Sequence, residues 1–181
     1  MTADFLFIPP RLARISSTHI ATIQWHCREG DFASGQYSRE HTWTFDGGLE
    51  IPASPSPHVV PVPWSNPTAV DPEEALIASI ASCHMLTFLW LAAKKGYSIL
   101  SYSDQATGFL TKNEKRIPWL SHVQLSPTME WSGSTVPSKS EVRELHERAH
   151  EQCFIANSVK TQISIQCEAC SLVKETPPSA D

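Results

Sequence analysis

From Ala75 to Ala93 the chain runs 19 residues without a single Asp, Glu, Lys or Arg. That length is close to the ~20 residues that cross a bilayer, so the segment either spans a membrane or is wrapped in protein. Its polar residues decide between the two. Ser79, Ser82, Cys83, His84 and Thr87 cluster near its middle, where hydrocarbon would penalise them most. The segment is therefore expected as a helix buried in protein, with no membrane involved. Its ends are punctuated accordingly: Asp71 as N-cap, Pro72 at the first helical position, Glu73 and Glu74 in the first turn, and Lys94-Lys95-Gly96 at the close. A helix that is apolar nearly all round needs cover on all sides, and one chain of 181 residues offers few sheet faces to supply it. A homodimer is the simplest remedy.

Periodicity sets the remaining elements. Ala21, Ile23, Trp25 and Cys27 alternate with polar residues and predict a half-buried strand. Tyr37 to Phe45 alternates again, with Tyr37, Arg39, His41, Trp43 and Phe45 on one face. Asp46-Gly47-Gly48 then turns the chain into Leu49-Glu50-Ile51 as a hairpin. Seven prolines between Pro52 and Pro72 predict a stiff irregular loop, whose Val60, Val62 and Trp64 are apolar enough to wall a pocket. After the long helix, Ser98 to Lys112 and Trp119 to Trp131 read as strands joined by a polar turn. A second helix begins at Ser138 with a capping-box Glu141 and places Val142, Leu145, Ala149 and Cys153 on one face. A final strand alternates from Val159 to Ala169. The order predicts one α+β domain over residues 19–173, with a leader at 1–18 and a flexible tail at 174–181.

Charge narrows the partners. Fourteen Lys and Arg against 19 Asp and Glu give a net charge of −5, which argues against a nucleic-acid binder. The apolar run Phe5-Leu6-Phe7-Ile8 stops at Pro9, too short for a signal peptide, and five cysteines leave no complete disulfide framework. Both features predict a cytoplasmic, reducing setting.

The thiols then carry the chemical question. Cys83 lies in the middle of the central helix and Cys153 ends the inner face of the second. Either one alone is as well explained as a small buried hydrophobe. Arg39 shifts the balance, because its strand parity sends a permanent cation to the face shared with Trp43 and Phe45. A thiol is a weak nucleophile until a cation stabilises its thiolate, and mid-helix Cys83 would need such an arginine. Three rival patterns are weaker. His146, His150 and Cys153 share a helix side at spacings of four and three, a pattern that suits zinc with Cys83 as a fourth ligand. Cys167 and Cys170 have the spacing of a redox motif but would point to opposite faces of a strand. Cys83 with His150 would make a hydrolase without a nameable oxyanion donor.

Asp71-Pro72-Glu73-Glu74, followed ten positions after Glu73 by Cys83, resembles the Asn-Pro-Glu to Ala-Cys segment of the OsmC/Ohr family of thiol peroxidases. The second helix ending at Cys153 and running into an alternating strand is similar to the setting of that family's second cysteine, and Arg39 before the Asp46-Gly47 turn is similar to its active-site arginine. Asp71 for Asn, His84 after Cys83, and Cys153-Phe154 in place of Cys-Pro depart from the family pattern. The resemblance implies two central helices wrapped by curved antiparallel sheets in an intertwined homodimer. It implies a peroxidase without metal or cofactor that reduces organic hydroperoxides, with hydrogen peroxide a further substrate. In that scheme Cys83 becomes a sulfenic acid, Cys153 resolves it as a disulfide, Arg39 holds the thiolate, and Glu73 pairs with Arg39. A lipoyl-type or small dithiol would be the reductant. The alternative on the same scaffold is a non-enzymatic dimeric thiol sensor or small-ligand-binding protein.

Overall fold

Near the start of the chain the period-two alternation does produce strands, in a computed structural model that describes residues 17–27 and 30–167. The chain falls into two units, one ending at Val70 and one beginning at Asp71. Most of the expected leader, the tail, Arg28 and Cys170 lie outside the described residues.

In the first unit, β1 (Ala21–Trp25) pairs antiparallel with β4 (His41–Phe45), which pairs with β5 (Glu50–Ala53) across the Asp46–Gly48 turn. Two short strands, β2 (Gly30–Asp31) and β3 (Gln36–Tyr37), form a separate ladder. The strand expected from Tyr37 to Phe45 is thus interrupted at residues 38–40, because their backbone is engaged elsewhere. The Ser38 carbonyl accepts the Trp25 indole N–H at 2.9 Å, and the Arg39 N–H donates to Trp64 at 3.1 Å. β1 is exposed along its whole length, Ile23 included, where half-burial was expected. The proline-rich stretch is irregular as expected, and its ends close on each other. Ser54 N–H donates to Val70, and Val70 N–H to Pro52.

The second unit is built on α1 (Pro72–Lys94), opened by the predicted capping box: Asp71 accepts the Glu74 N–H at 2.7 Å and the Glu74 carboxylate accepts the Asp71 N–H at 3.3 Å. The two long strands that follow are each broken once, into β6 (Ser98–Asp104) and β7 (Thr107–Lys112), then β8 (Pro118–Leu125) and β9 (Pro127–Ser132). The breaks face each other, since β6 pairs with β9 and β7 with β8. At this corner Asp104 accepts the Ser126 N–H at 2.7 Å, so a half-buried carboxylate takes up the backbone group that the ladder drops. Burial raises the pKa of Asp104, against that bond. Helix α2 (Lys139–Gln152) leads through a 3₁₀ turn at Ala156–Ser158 to β10 (Gln162–Ile165), which joins β8 in parallel and is shorter than its alternation predicts.

Helix α1 is the element common to two apolar clusters. Phe88, Leu91 and Ala92 pack with Met129, Trp131, Val142, Leu145 and Ala149, whereas Ile80 packs with Leu120, Val123 and Leu125. Each fully buried Leu or Phe contributes about 1.5–3 kcal/mol of transfer free energy. Close approach of sheet to helix requires a glycine at position 108, where a Cβ would run into the side chains of Ile77 and Leu120. Within the chain, burial of α1 is confined to one stripe through Ile80, His84, Phe88 and Leu91. Leu86 and Trp90 on its other side are 62% and 50% exposed, so the all-round cover expected from the sequence is met on one face only. Two helices with mainly antiparallel sheets make the fold α+β.

Candidate active site

The stripe that α1 turns toward α2 carries adjacent polar residues, and both find partners there. Cys83 is half-buried. Its Sγ accepts the Ile155 N–H at 3.5 Å and neighbours the Cys153 thiol, whose pKa it raises. Cys153 is itself 1% exposed and caps the C-terminus of α2. Both sulfurs are reduced. The turn after α2 is fixed by hydrogen bonds that leave little freedom: Ala156 N–H donates to the Cys153 sulfur at 3.4 Å, and the Asn157 side chain donates to the carbonyls of Glu151 and Cys153 at 2.9 Å each. That turn brings the Ile155 N–H to Cys83.

The two thiols are not equivalent. Burial, followed by its interaction with Cys83, pushes Cys153 up to about 11, so at neutral pH it is a thiol. Its place at the carboxyl end of a helix, where the macrodipole is negative, works in the same direction. Cys83 is the more exposed of the two sulfurs. One and two turns beyond it, Thr87 and Trp90 line an open groove of about 660 Å³ together with Leu86, Phe154 and Asn157. Phe154 is 83% exposed there.

Of the other residues singled out from the sequence, Glu73 lies half-buried in the first turn of α1, about 15 Å along the helix axis from Cys83 at ~1.5 Å per residue. Arg39 belongs to the first unit. Its guanidinium donates to the carbonyls of Tyr37 and Gly35 at 3.0 and 3.2 Å and lies 4.2 Å from the centre of the Tyr37 ring, which fixes its fork on its own hairpin.

His84, expected as a partly buried structural residue, is 1% exposed and meets His146, 3% exposed, with 3.0 Å between Nε2 and Nδ1 and the rings stacked. Phe88 also stacks on His146, at 4.3 Å between ring centres. Burial drives both imidazoles down, His84 to about 3 and His146 to about 4, so both are neutral near pH 7. The pairing was missed from the sequence, although His146 lies between Leu145 and Ala149 on the apolar side of α2. His146 thus joins His84 and not a set with His150 and Cys153. Among the described residues no three His, Cys, Asp or Glu side chains are placed to hold a metal ion.

A family model for OsmC-like protein matches residues 65–168, which include Glu73, Cys83 and Cys153. An OsmC-like protein of unknown function from Vibrio cholerae is 48% identical, with a TM-score of 0.81 over 83% of this chain and 99% of that one. An organic hydroperoxide resistance protein from Elizabethkingia anophelis shares the fold at 18% identity, with a TM-score of 0.63 over 86% of this chain and 96% of that one. The organic hydroperoxide resistance protein OhrB of Bacillus subtilis does so at 16% identity, with a TM-score of 0.55 over 84% and 97%. No curated protein matches the sequence. With a family match over more than half its length and a close structural relative covered almost end to end, the chain belongs to the OsmC-like protein family.

Proposed function

We propose that the protein is a cysteine-dependent peroxidase that reduces organic hydroperoxides, with Cys83 as the attacking sulfur and Cys153 as the resolving one. The observation that carries this reading is that two thiols 70 positions apart in sequence are bound by neighbouring amides of one turn, Ile155 N–H to Cys83 and Ala156 N–H to Cys153. The resistance proteins from Elizabethkingia and Bacillus, alike in fold, supply the substrate class. The Cys83 thiolate attacks the distal peroxide oxygen, the O–O bond breaks, and the alkoxide takes a proton to leave as alcohol. Cys83 is then a sulfenic acid, oxidised by two electrons. The Cys153 sulfur attacks it, a disulfide forms, and the hydroxyl leaves as water. An external dithiol, oxidised in turn to its own disulfide, restores both thiols.

The difference between the two sulfurs suits these roles. A thiol pushed up to about 11 does not compete for peroxide but stands in contact with the sulfur whose sulfenic acid it must meet. In this scheme Arg39 would have to leave the carbonyls of its own hairpin to supply the cation that holds the thiolate, with Glu73 as its carboxylate partner. The groove beside Leu86, Trp90 and Phe154 takes the apolar part of the hydroperoxide or lies against a second subunit in a homodimer. A cytoplasmic setting, with a lipoyl-type or small dithiol as reductant, completes the reading.

The test is peroxide consumption with cumene hydroperoxide and dihydrolipoate, comparing wild type with Cys83→Ser. Loss of turnover in the variant is expected. Equal rates would remove Cys83 from the chemistry and leave a sensor or binding protein on this scaffold.

A further inference from the structure

On the face of α2 nearest β10, a cavity of about 510 Å³ opens between Lys139, Val142, Arg143, His146, Glu147, Ile165 and Cys167, all within the second unit. Its volume is within the range of small-molecule sites. His146, one of the lining residues, has a polar atom with nothing to bind. His146 Nε2 is buried without a hydrogen-bond partner, while Nδ1 of the same ring is taken by His84. A buried polar atom left unpaired is costly, and the other lining residues indicate what would relieve it.

We propose that this cavity binds a small organic acid that carries an oxo group close to its carboxylate. The helix sets the spacing. Arg143 and His146 are three residues apart on one face, so their Cβ atoms are about 5–6 Å from each other, and Lys139 lies one turn further toward the N-terminus. A molecule that reaches both therefore carries its uncharged oxygen and its anionic group within a few bonds. Charge assigns which goes where. His146 is neutral, its pKa driven down to about 4 by burial, and it suits an uncharged acceptor at the closed end. Arg143 and Lys139 are exposed and suit the carboxylate at the mouth, two cations against the single anion Glu147. Val142 and Ile165 give the aliphatic part an apolar wall.

Occupancy by such an acid fixes the histidine tautomers without adding a proton. His146 Nε2–H donates to the oxo group, and His146 Nδ1 accepts from His84 Nε2–H. Each ring then carries one proton, and the pair stays neutral. This site is separate from the cysteine pair and does not depend on peroxidase activity.

Calorimetric titration of the full chain with 2-oxohexanoate tests the proposal. One site per chain is expected. Affinity should fall about tenfold or more in Arg143→Glu, an exposed position where folding is not at stake, and in His146→Gln, while Cys83→Ser should bind unchanged. Hexanoate, without the oxo group, should bind several-fold more weakly, and 2-hexanone, without the charge, weaker still. Absence of heat with 2-oxohexanoate up to millimolar concentrations would overturn the assignment. So would equal affinity in Arg143→Glu, or competition by alkylation of Cys83.

Discussion

Two pairs of side chains bridge α1 and α2, and they begin at neighbouring residues. Cys83 meets Cys153 and His84 meets His146, whose positions on α2 are two helical turns apart. The cysteine pair stands at the end of α2, with one member half-buried beside an open groove. The histidine pair lies between Phe88 and the helix interface with both members closed off. In the proposed reading, exposure, more than residue type, decides which pair is reactive. Histidine is the ordinary proton carrier near pH 7, yet burial holds both of these neutral there. Cysteine is an ordinary core residue, yet Cys83 keeps access to a small reactant.

Breaking the cysteine pair should have the largest effect. Cys83→Ser is expected to reduce hydroperoxide consumption to the uncatalysed background. Cys153→Ser should complete one turnover and then stall, with sulfinic acid accumulating at Cys83 under excess peroxide and visible as a gain of 32 mass units, two oxygens. His146→Phe should leave the first-turnover rate within a few-fold of wild type. A comparable loss in all three variants would mean that the histidine pair takes part in the chemistry and would dissolve the contrast. Wild type treated with substoichiometric hydroperoxide should lose two mass units per chain, and peptide mapping should place the bond between Cys83 and Cys153.

The histidine pair is sharpened by acid. Both folded-state pKa values are depressed from 6.5, to about 3 and about 4, so the unfolded chain binds protons that the native chain refuses. Their contribution to stability is present above pH 6.5 and is lost as pH falls toward those folded values. Two such groups imply a loss of roughly 2 kcal/mol per pH unit between pH 6 and 5, where most carboxylates remain ionised. Urea unfolding at several pH values measures the slope, and His146→Phe should roughly halve it. A slope unchanged in the variant would show that the proton uptake belongs to other groups.

A more modest effect is expected where the sheet meets α1. Gly108→Ala would force a methyl against Ile77 and Leu120 and should cost about 1–3 kcal/mol, read as a lower denaturant midpoint at unchanged slope. The position lies away from both pairs, so thiol alkylation and the pH slope should keep their wild-type values.

What the sequence made legible was whatever is encoded by neighbours along the chain. Both helix starts could be read because Asp71 with Glu74 and Ser138 with Glu141 are local capping boxes. The cysteines could be read because each sits at a recognisable point of a helix. The corner in the long strands could not, since it depends on Asp104 and Ser126 meeting across 22 positions, and neither residue breaks the alternation by itself. The His84–His146 contact spans 62 positions and was hidden for the same reason. Arg39 illustrates a third case. Strand parity placed it on an apolar face, but parity lapses where residues 38–40 leave the ladder, and its guanidinium is held by carbonyls of its own hairpin.

The smallest effect separates the two ends of α2. Ser138 caps the helix by accepting the Glu141 N–H at 3.3 Å, while the Glu141 carboxylate accepts the Ser138 N–H at 2.8 Å and the Tyr97 hydroxyl at 2.8 Å. Hydrogen bonds from Ser138, then from Tyr97, hold Glu141 down at about 2, so the cap is charged throughout the working pH range. Ser138→Ala removes one acceptor and is expected to cost about 1 kcal/mol, a fall in Tm of roughly 2–4 °C for a chain of this size. Fraying from a lost cap dies out within about the first turn or two of the helix. Hydrogen exchange should therefore speed up most at the start of α2 and fade before His146, two turns in, while alkylation of Cys83 by iodoacetamide, at the far end, keeps its wild-type rate. Acceleration of both in equal measure would show α2 to open as a single unit, and the histidine and cysteine pairs would then share one stability instead of two.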